Sequence, residues 1–233
     1  MNKNKILKEL KSLGDKEFAI HHAKFFQTHK GGYGEGDLFW GLRVPQQRAV
    51  AKKYYKDITL KEAKELLQHK IHEARLTALA VLSEKYKKAD DKEKKAVVKT
   101  YLANTEYINN WDLVDLSAPY IAGAFWFDNP SDDMLELAKS KNLWRERISM
   151  VSTLYFIKRG RLKETFELAE MFLSHKHDLM HKAAGWMLRE AGKKDISALR
   201  AFLDKNHKKM PRTMLRYAIE KFPDRERKKY MGR

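Results

Sequence analysis

Five residues recur along this chain on a beat of about 36 positions: Arg75, Trp111, Arg147, Lys182 and Arg212, separated by 36, 36, 35 and 30. Each stands near the start of a segment with apolar residues at helical spacing, so the beat counts paired helices and not single ones. Four of the five are basic and one is tryptophan. In that exceptional unit, Asn109-Asn110-Trp111-Asp112-Leu113-Val114-Asp115, a carboxylate follows the tryptophan by four positions. One helix face then carries both the ring and the acid.

Nearly every segment shows this helical spacing, and no run alternates over a strand length with β-branched residues. The expected fold class is all-α. The pattern predicts helices over 71–88, with Leu76, Leu79, Ala80 and Leu82, and over 144–159, with Ile148, Val151, Leu154 and Tyr155. Asp15, Asp90, Asp132 and Asp178 stand where N-caps would, and Pro45 and Pro211 suit first turns. Gly14, Gly160 and Gly192 are expected at helix ends. Polar elbows at 66–70, 173–177 and 203–207 precede the helices of Arg75, Lys182 and Arg212. Helix pairs of this period match HEAT-like repeats, a little short of the usual length. Such units cannot bury their faces alone, so the expectation is one domain over 1–233, a curved right-handed solenoid of HEAT-like helix-pair repeats.

Charge narrows the partner. The chain carries 48 Lys and Arg against 31 Asp and Glu, a net +17 in 233 residues. Residues 1–110 contribute +9 and residues 111–233 contribute +8, so the folded body and not a tail is basic. In a solenoid, equivalent positions of successive repeats line one surface, and the basic beat becomes a track fitted to phosphates. Solubility alone, or a docking surface for acidic proteins, would also account for the charge. With no cysteine, disulfides, thiolate metal sites and thiol nucleophiles are excluded. No apolar run approaches the ~18 residues of a membrane span, and the amphipathic start at Ile6-Leu7-Lys8-Glu9-Leu10 is unlike a signal peptide. A cytoplasmic monomer that does not engage membranes is expected.

Chemistry centres on Trp111 and Asp115, although a core tryptophan and a first-turn carboxylate would look the same. Arg147 lies one repeat later, and Trp186 sits in Gly185-Trp186-Met187-Leu188-Arg189-Glu190. With Trp111-Asp112-Leu113-Val114-Asp115 and Trp144-Arg145-Glu146-Arg147, these motifs resemble the AlkD-type DNA alkylation repair enzymes, HEAT-like-repeat glycosylases of alkylated purines. The resemblance covers most of the chain and is strongest from Trp111 to Glu190. It implies that Asp115, Trp111, Trp186 and Arg147 form a catalytic cleft without metal or cofactor. It also implies removal of cationic N3- and N7-alkylated purines from double-stranded DNA while the lesion stays stacked. Arg75, Lys182, Arg189 and Arg212 are the expected DNA contacts. No lysine is marked as a Schiff-base nucleophile, so no strand-cleaving lyase activity is expected.

Some members of that superfamily bind unusual DNA structures without excising bases, which makes a noncatalytic binder of branched or damaged DNA the rival expectation. The glycine-rich stretch Lys30-Gly31-Gly32-Tyr33-Gly34-Glu35-Gly36-Asp37 lacks the Gly-Lys-Ser/Thr of a phosphate loop and is expected to be a flexible connection. His175, His177 and His181 have spacing compatible with zinc but no accompanying catalytic Glu, and are expected to be elbow residues near phosphates. His21 and His22 are expected on a helix surface.

Overall fold

Short polar side chains start many of the helices by accepting from N–H groups that have no partner inside the helix. In the computed structural model, which describes residues 2–232, Asp15 accepts from Phe18 N at 2.9 Å and Asp90 from Glu93 N at 2.8 Å. Thr59 and Glu62 form a reciprocal capping box, with both hydrogen bonds at 3.1 Å. The described residues are mostly helical and contain no strand, only one isolated bridge between Leu38 and Ile71. Among them no helix is long and apolar enough to cross a membrane.

The chain divides into two compact units after Phe125. The first contains α1 (Asn2–Ser12), α2 (Lys16–Phe25), α3 (Val44–Tyr54), α4 (Leu60–Leu67), α5 (His72–Lys88), α6 (Asp91–Leu102) and the single turn and a half of α7 (Trp111–Asp115). Its centre is α5, packed by α3, α4 and α6 and buried almost all round, including Ala74, Leu76, Ala78, Leu79, Val81 and Leu82. α7 ends where Ser117 N turns to the Val114 carbonyl at 3.1 Å and the Ser117 hydroxyl donates to the Leu113 carbonyl at 2.6 Å, and Pro119, lacking an N–H, cannot resume the α-helical ladder. The backbone widens there into a π turn over Pro119–Gly123, in which Gly123 N bonds Ala118 O at 2.8 Å. α8 (Ala124–Asp128) follows at the boundary between units.

The second unit contains α9 (Asp133–Ala138), α10 (Leu143–Lys158), α11 (Lys163–Met171), α12 (Asp178–Lys194), α13 (Ile196–Asn206), α14 (Arg212–Ala218) and α15 (Asp224–Met231). α12 is its centre and packs against α10, α13 and α14.

The two longest expectations, 71–88 and 144–159, match α5 and α10 within one residue at each end. Pro45 lies in the first turn of α3, whereas Pro211 stands one step earlier, at the N-cap of α14. Asp132 occupies the N-cap of α9 without a side-chain cap bond. Two local expectations fail. His177, not Asp178, caps α12, its Nδ1 accepting from Leu179 N at 3.1 Å. Gly192 lies inside α12 and ends nothing: a Cβ there would stand 2.3 Å from Leu199 Cδ2, so the glycine serves a close helix crossing. Gly160, by contrast, follows α10 with φ of +81°, the left-handed conformation expected of a helix end.

Candidate active site

α7 is too short to be stable alone and is held by side chains from three other segments. Asn110 Oδ1 caps it by accepting from Trp111 N at 2.8 Å, and Asp112 Oδ1 accepts from Leu113 N at the same distance. The other Asp112 oxygen lies 2.8 Å from His72 Nε2 at the start of α5. His72 Nδ1 lies 2.9 Å from Asp37 at the end of the glycine-rich stretch, and the second Asp37 oxygen accepts from Arg75 at 2.6 Å. All four residues are buried.

Burial alone would neutralise the His72 ring. The Asp112 charge and the hydrogen bonds with Asp112 and Asp37 outweigh it, and its pKa is pushed up to about 9. Burial likewise opposes the Asp37 charge, yet the His72 hydrogen bond and the Arg75 charge hold its carboxyl below the ordinary value. The cluster is therefore an alternating set of two carboxylates and two cations, with its rings packed by Phe26 and Phe39, whose centroids lie 5.1 and 4.8 Å from that of His72.

Above this cluster opens a cleft of about 310 Å³, lined chiefly by Phe18, His22, Phe25, Trp111, Asp112 and Asp115. Trp111 Nε1 donates to the Tyr33 hydroxyl at 3.3 Å, which fixes the indole from 78 residues away. Phe26 and Phe25 pack on its sides with centroids at 5.5 and 6.0 Å. Asp115 is half-buried at the cleft. Its charge also reaches the buried phenol of Tyr101, which burial, against a Ser117 hydrogen bond, and then Asp115 push up.

His22 also lines the cleft, its Nδ1 buried and 3.8 Å from Glu73, beyond hydrogen-bond reach. Glu73 is locked by backbone N–H groups of Trp40, Gly41 and Leu42 at 3.1, 2.7 and 3.1 Å. A space walled by rings with the Asp115 carboxylate at its edge favours a cationic, flat ligand.

Trp111 and Asp115 thus line one cleft. Arg147 and Trp186 belong to the second unit, on α10 and α12. Arg147 is buried, with Nη1 donating to the Leu179 carbonyl at 2.5 Å, and Trp186 is half-buried.

The basic beat divides. Arg75 is 5% exposed and paired with Asp37, so the expected phosphate contact there is corrected: its charge is spent inside the protein. Lys182 is partly exposed, 2.8 Å from Asp178 one turn back. Arg189 pairs with Glu220 and approaches Glu190 at 3.6 Å. Arg212 is exposed and donates to the Met231 carbonyl at 2.8 Å.

The expected flexible connection at 30–37 is also corrected, since it places Tyr33 on Trp111 and Asp37 on His72. Its turns are tight enough that a Cβ on Gly34 would stand 2.3 Å from the Phe26 carbonyl oxygen. His22 departs from the expected helix surface by facing the cleft. Each of the three elbow histidines is engaged locally: His175 with Glu146 at 3.0 Å, His177 as a helix cap, and His181 with the His175 carbonyl at 2.5 Å.

Sequence reasoning missed the α2 contribution, although rings at 18, 21, 22 and 25 repeat at helical spacing. It missed His72, Asp37 and Asp112 because no local pattern marks residues 35 and 40 positions apart as partners.

A family model described as DNA alkylation repair enzyme matches residues 6–222. Among solved structures, one described as a predicted DNA alkylation repair enzyme from Enterococcus faecalis is similar with a TM-score of 0.70 at 14% identity. The match covers 91% of this chain and 97% of that one. No curated protein matches the chain.

Proposed function

This chain belongs to the DNA alkylation repair enzyme family, and from that premise we propose that it is a DNA glycosylase for cationic N3- and N7-alkylated purines. In this proposal it acts on double-stranded DNA as a monomeric HEAT-like-repeat domain and does not extrude the base. The observation that carries the reading is the cleft shared by Trp111 and Asp115, where rings and a carboxylate meet in an open space.

The chemistry follows from charge. Ordinary glycoside hydrolysis uses two carboxylates, one of which protonates the leaving group. An alkylated purine is already positive, so the C1′–N bond breaks with its electron pair returning to the base, which leaves neutral. Positive charge appears on the sugar instead. Asp115 stabilises that charge and takes the proton of the water that adds to C1′. A carboxylate ~4 Å from a unit charge at an effective dielectric near 20 gains about 4 kcal/mol, about a thousandfold in rate if realised only in the transition state.

Trp111 and Trp186 take the role of aromatic walls, each worth roughly 0.5–2 kcal/mol through attraction of the electron-poor sugar. Arg147 takes that of a phosphate clamp. Lys182, Arg189 and Arg212 would supply further phosphate contacts.

The test is release of free N3-methyladenine and N7-methylguanine from methylated duplex DNA, with Asp115→Asn in parallel. The expected result is release by the unmodified protein and a loss on the order of a thousandfold in the variant. Tight duplex binding with no release would assign the chain to noncatalytic binding of branched or damaged DNA.

A further inference from the structure

The rim of the cleft carries more aromatic surface than the excision chemistry uses. Phe18, His21 and Phe25 follow one another along α2 with nearly parallel rings: 5.8 Å and 8° between the first pair, 6.3 Å and 14° between the second. Phe25 then meets Trp111 edge-on at 6.0 Å and 69°. A helix spent on the core would bury such rings, but α2 buries none of its residues, and Phe25 is 56% exposed. Lys24, next to Phe25 in the chain, is exposed.

Flat rings at an open rim with a lysine alongside match a nucleobase and its phosphate, and every base has a face that stacks in this way. In a fully paired helix both faces are covered by neighbours, so the occupant must be a base without a partner. A second copy of this chain fits poorly, since pairing two α2 helices would bring their lysines together.

We propose that the α2 rim is a stacking platform for an unpaired nucleobase of a DNA strand, the base resting on His21 and Phe25 and its phosphate against Lys24. This rests on the DNA reading of the cleft and adds a preference to it: a duplex with one unpaired base is the better ligand.

The experiment is fluorescence anisotropy with two labelled duplexes that differ by a single-base bulge. The unmodified protein is expected to bind the bulged duplex roughly tenfold more tightly, the scale of one stacked base. Phe25→Ala should abolish the preference, Phe25→Trp should keep it, and Ile20→Ala, an exposed apolar residue outside the ring row, should also keep it. Equal affinity for the two duplexes, or a preference that survives Phe25→Ala, overturns the platform while leaving DNA binding intact. Absence of binding to either duplex overturns the DNA reading itself. Concentration-dependent dimerisation in sedimentation that Phe25→Ala removes would assign the face to a second copy and likewise overturn the platform.

Discussion

His72 holds Asp112 through a 2.8 Å contact between Nε2 and a carboxylate oxygen, and so joins the start of α5 to the five-residue helix that carries Trp111 and Asp115. The contact is buried, charged on both sides and braced by Asp37 behind the ring. Its properties should be measurable without any DNA.

A histidine raised from 6.5 to about 9 on folding makes the folded state bind the extra proton. The associated stability, on the order of 3 kcal/mol, is complete below pH ~6.5, declines above it and is gone once pH rises past about 9. The melting temperature should accordingly fall between pH 7 and 10. His72→Gln should flatten that stretch of the profile.

Removal of one member of a buried ion pair strands the other. His72→Ala leaves Asp112 buried without its cation, while Asp37 keeps Arg75, and should cost about 3–5 kcal/mol in urea unfolding. In a double-mutant cycle with Asp112→Asn the losses should be strongly non-additive. Additive losses would show that the two side chains do not act as a unit.

Arg75 and Lys182 share the beat but not the environment. Lys182→Ala should reduce the slope of log K against log salt for duplex binding by about 0.9, the value of one phosphate contact. Arg75→Ala should leave the slope alone and destabilise the fold, because its guanidinium is committed to Asp37. A slope that changes with Arg75 would restore it to the DNA contacts.

Gly185 permits α12 and α14 to touch: a Cβ there would stand 2.5 Å from the Met214 carbonyl oxygen and 2.5 Å from Tyr217 Cβ. Gly185→Ala should therefore destabilise by about 1–3 kcal/mol in spite of the better helix propensity of alanine. A stabilised variant, read by thermal denaturation, would mean that the crossing has room for a methyl group.

What the sequence disclosed and what it hid separate along the range of the interaction. α5 and α10, and the caps Asp15 and Asp90, were legible because each depends on residues within a few positions. That Trp111 and Asp115 would share one cleft was legible for the same reason, being one turn apart. Gly192 was misread because its reason, Leu199, lies across a turn on the next helix. Arg75 was misread because a basic residue on a period looks alike whether a phosphate or Asp37 awaits it. His72 was invisible: neither Asp37 nor Asp112 lies near it in sequence, and only the packing of α5 against α7 brings them together.

The glycine-rich stretch has a consequence for trimming the molecule. Tyr33 supplies the hydroxyl that steadies the Trp111 indole, and Asp37 supplies the carboxylate behind His72. A fragment starting at Gly41 would keep every residue of α7 yet leave its indole unanchored and the His72 imidazolium of α5 half-neutralised. Residues 33–40 are thus a keystone of the cleft, which does not survive trimming from this end past Tyr33.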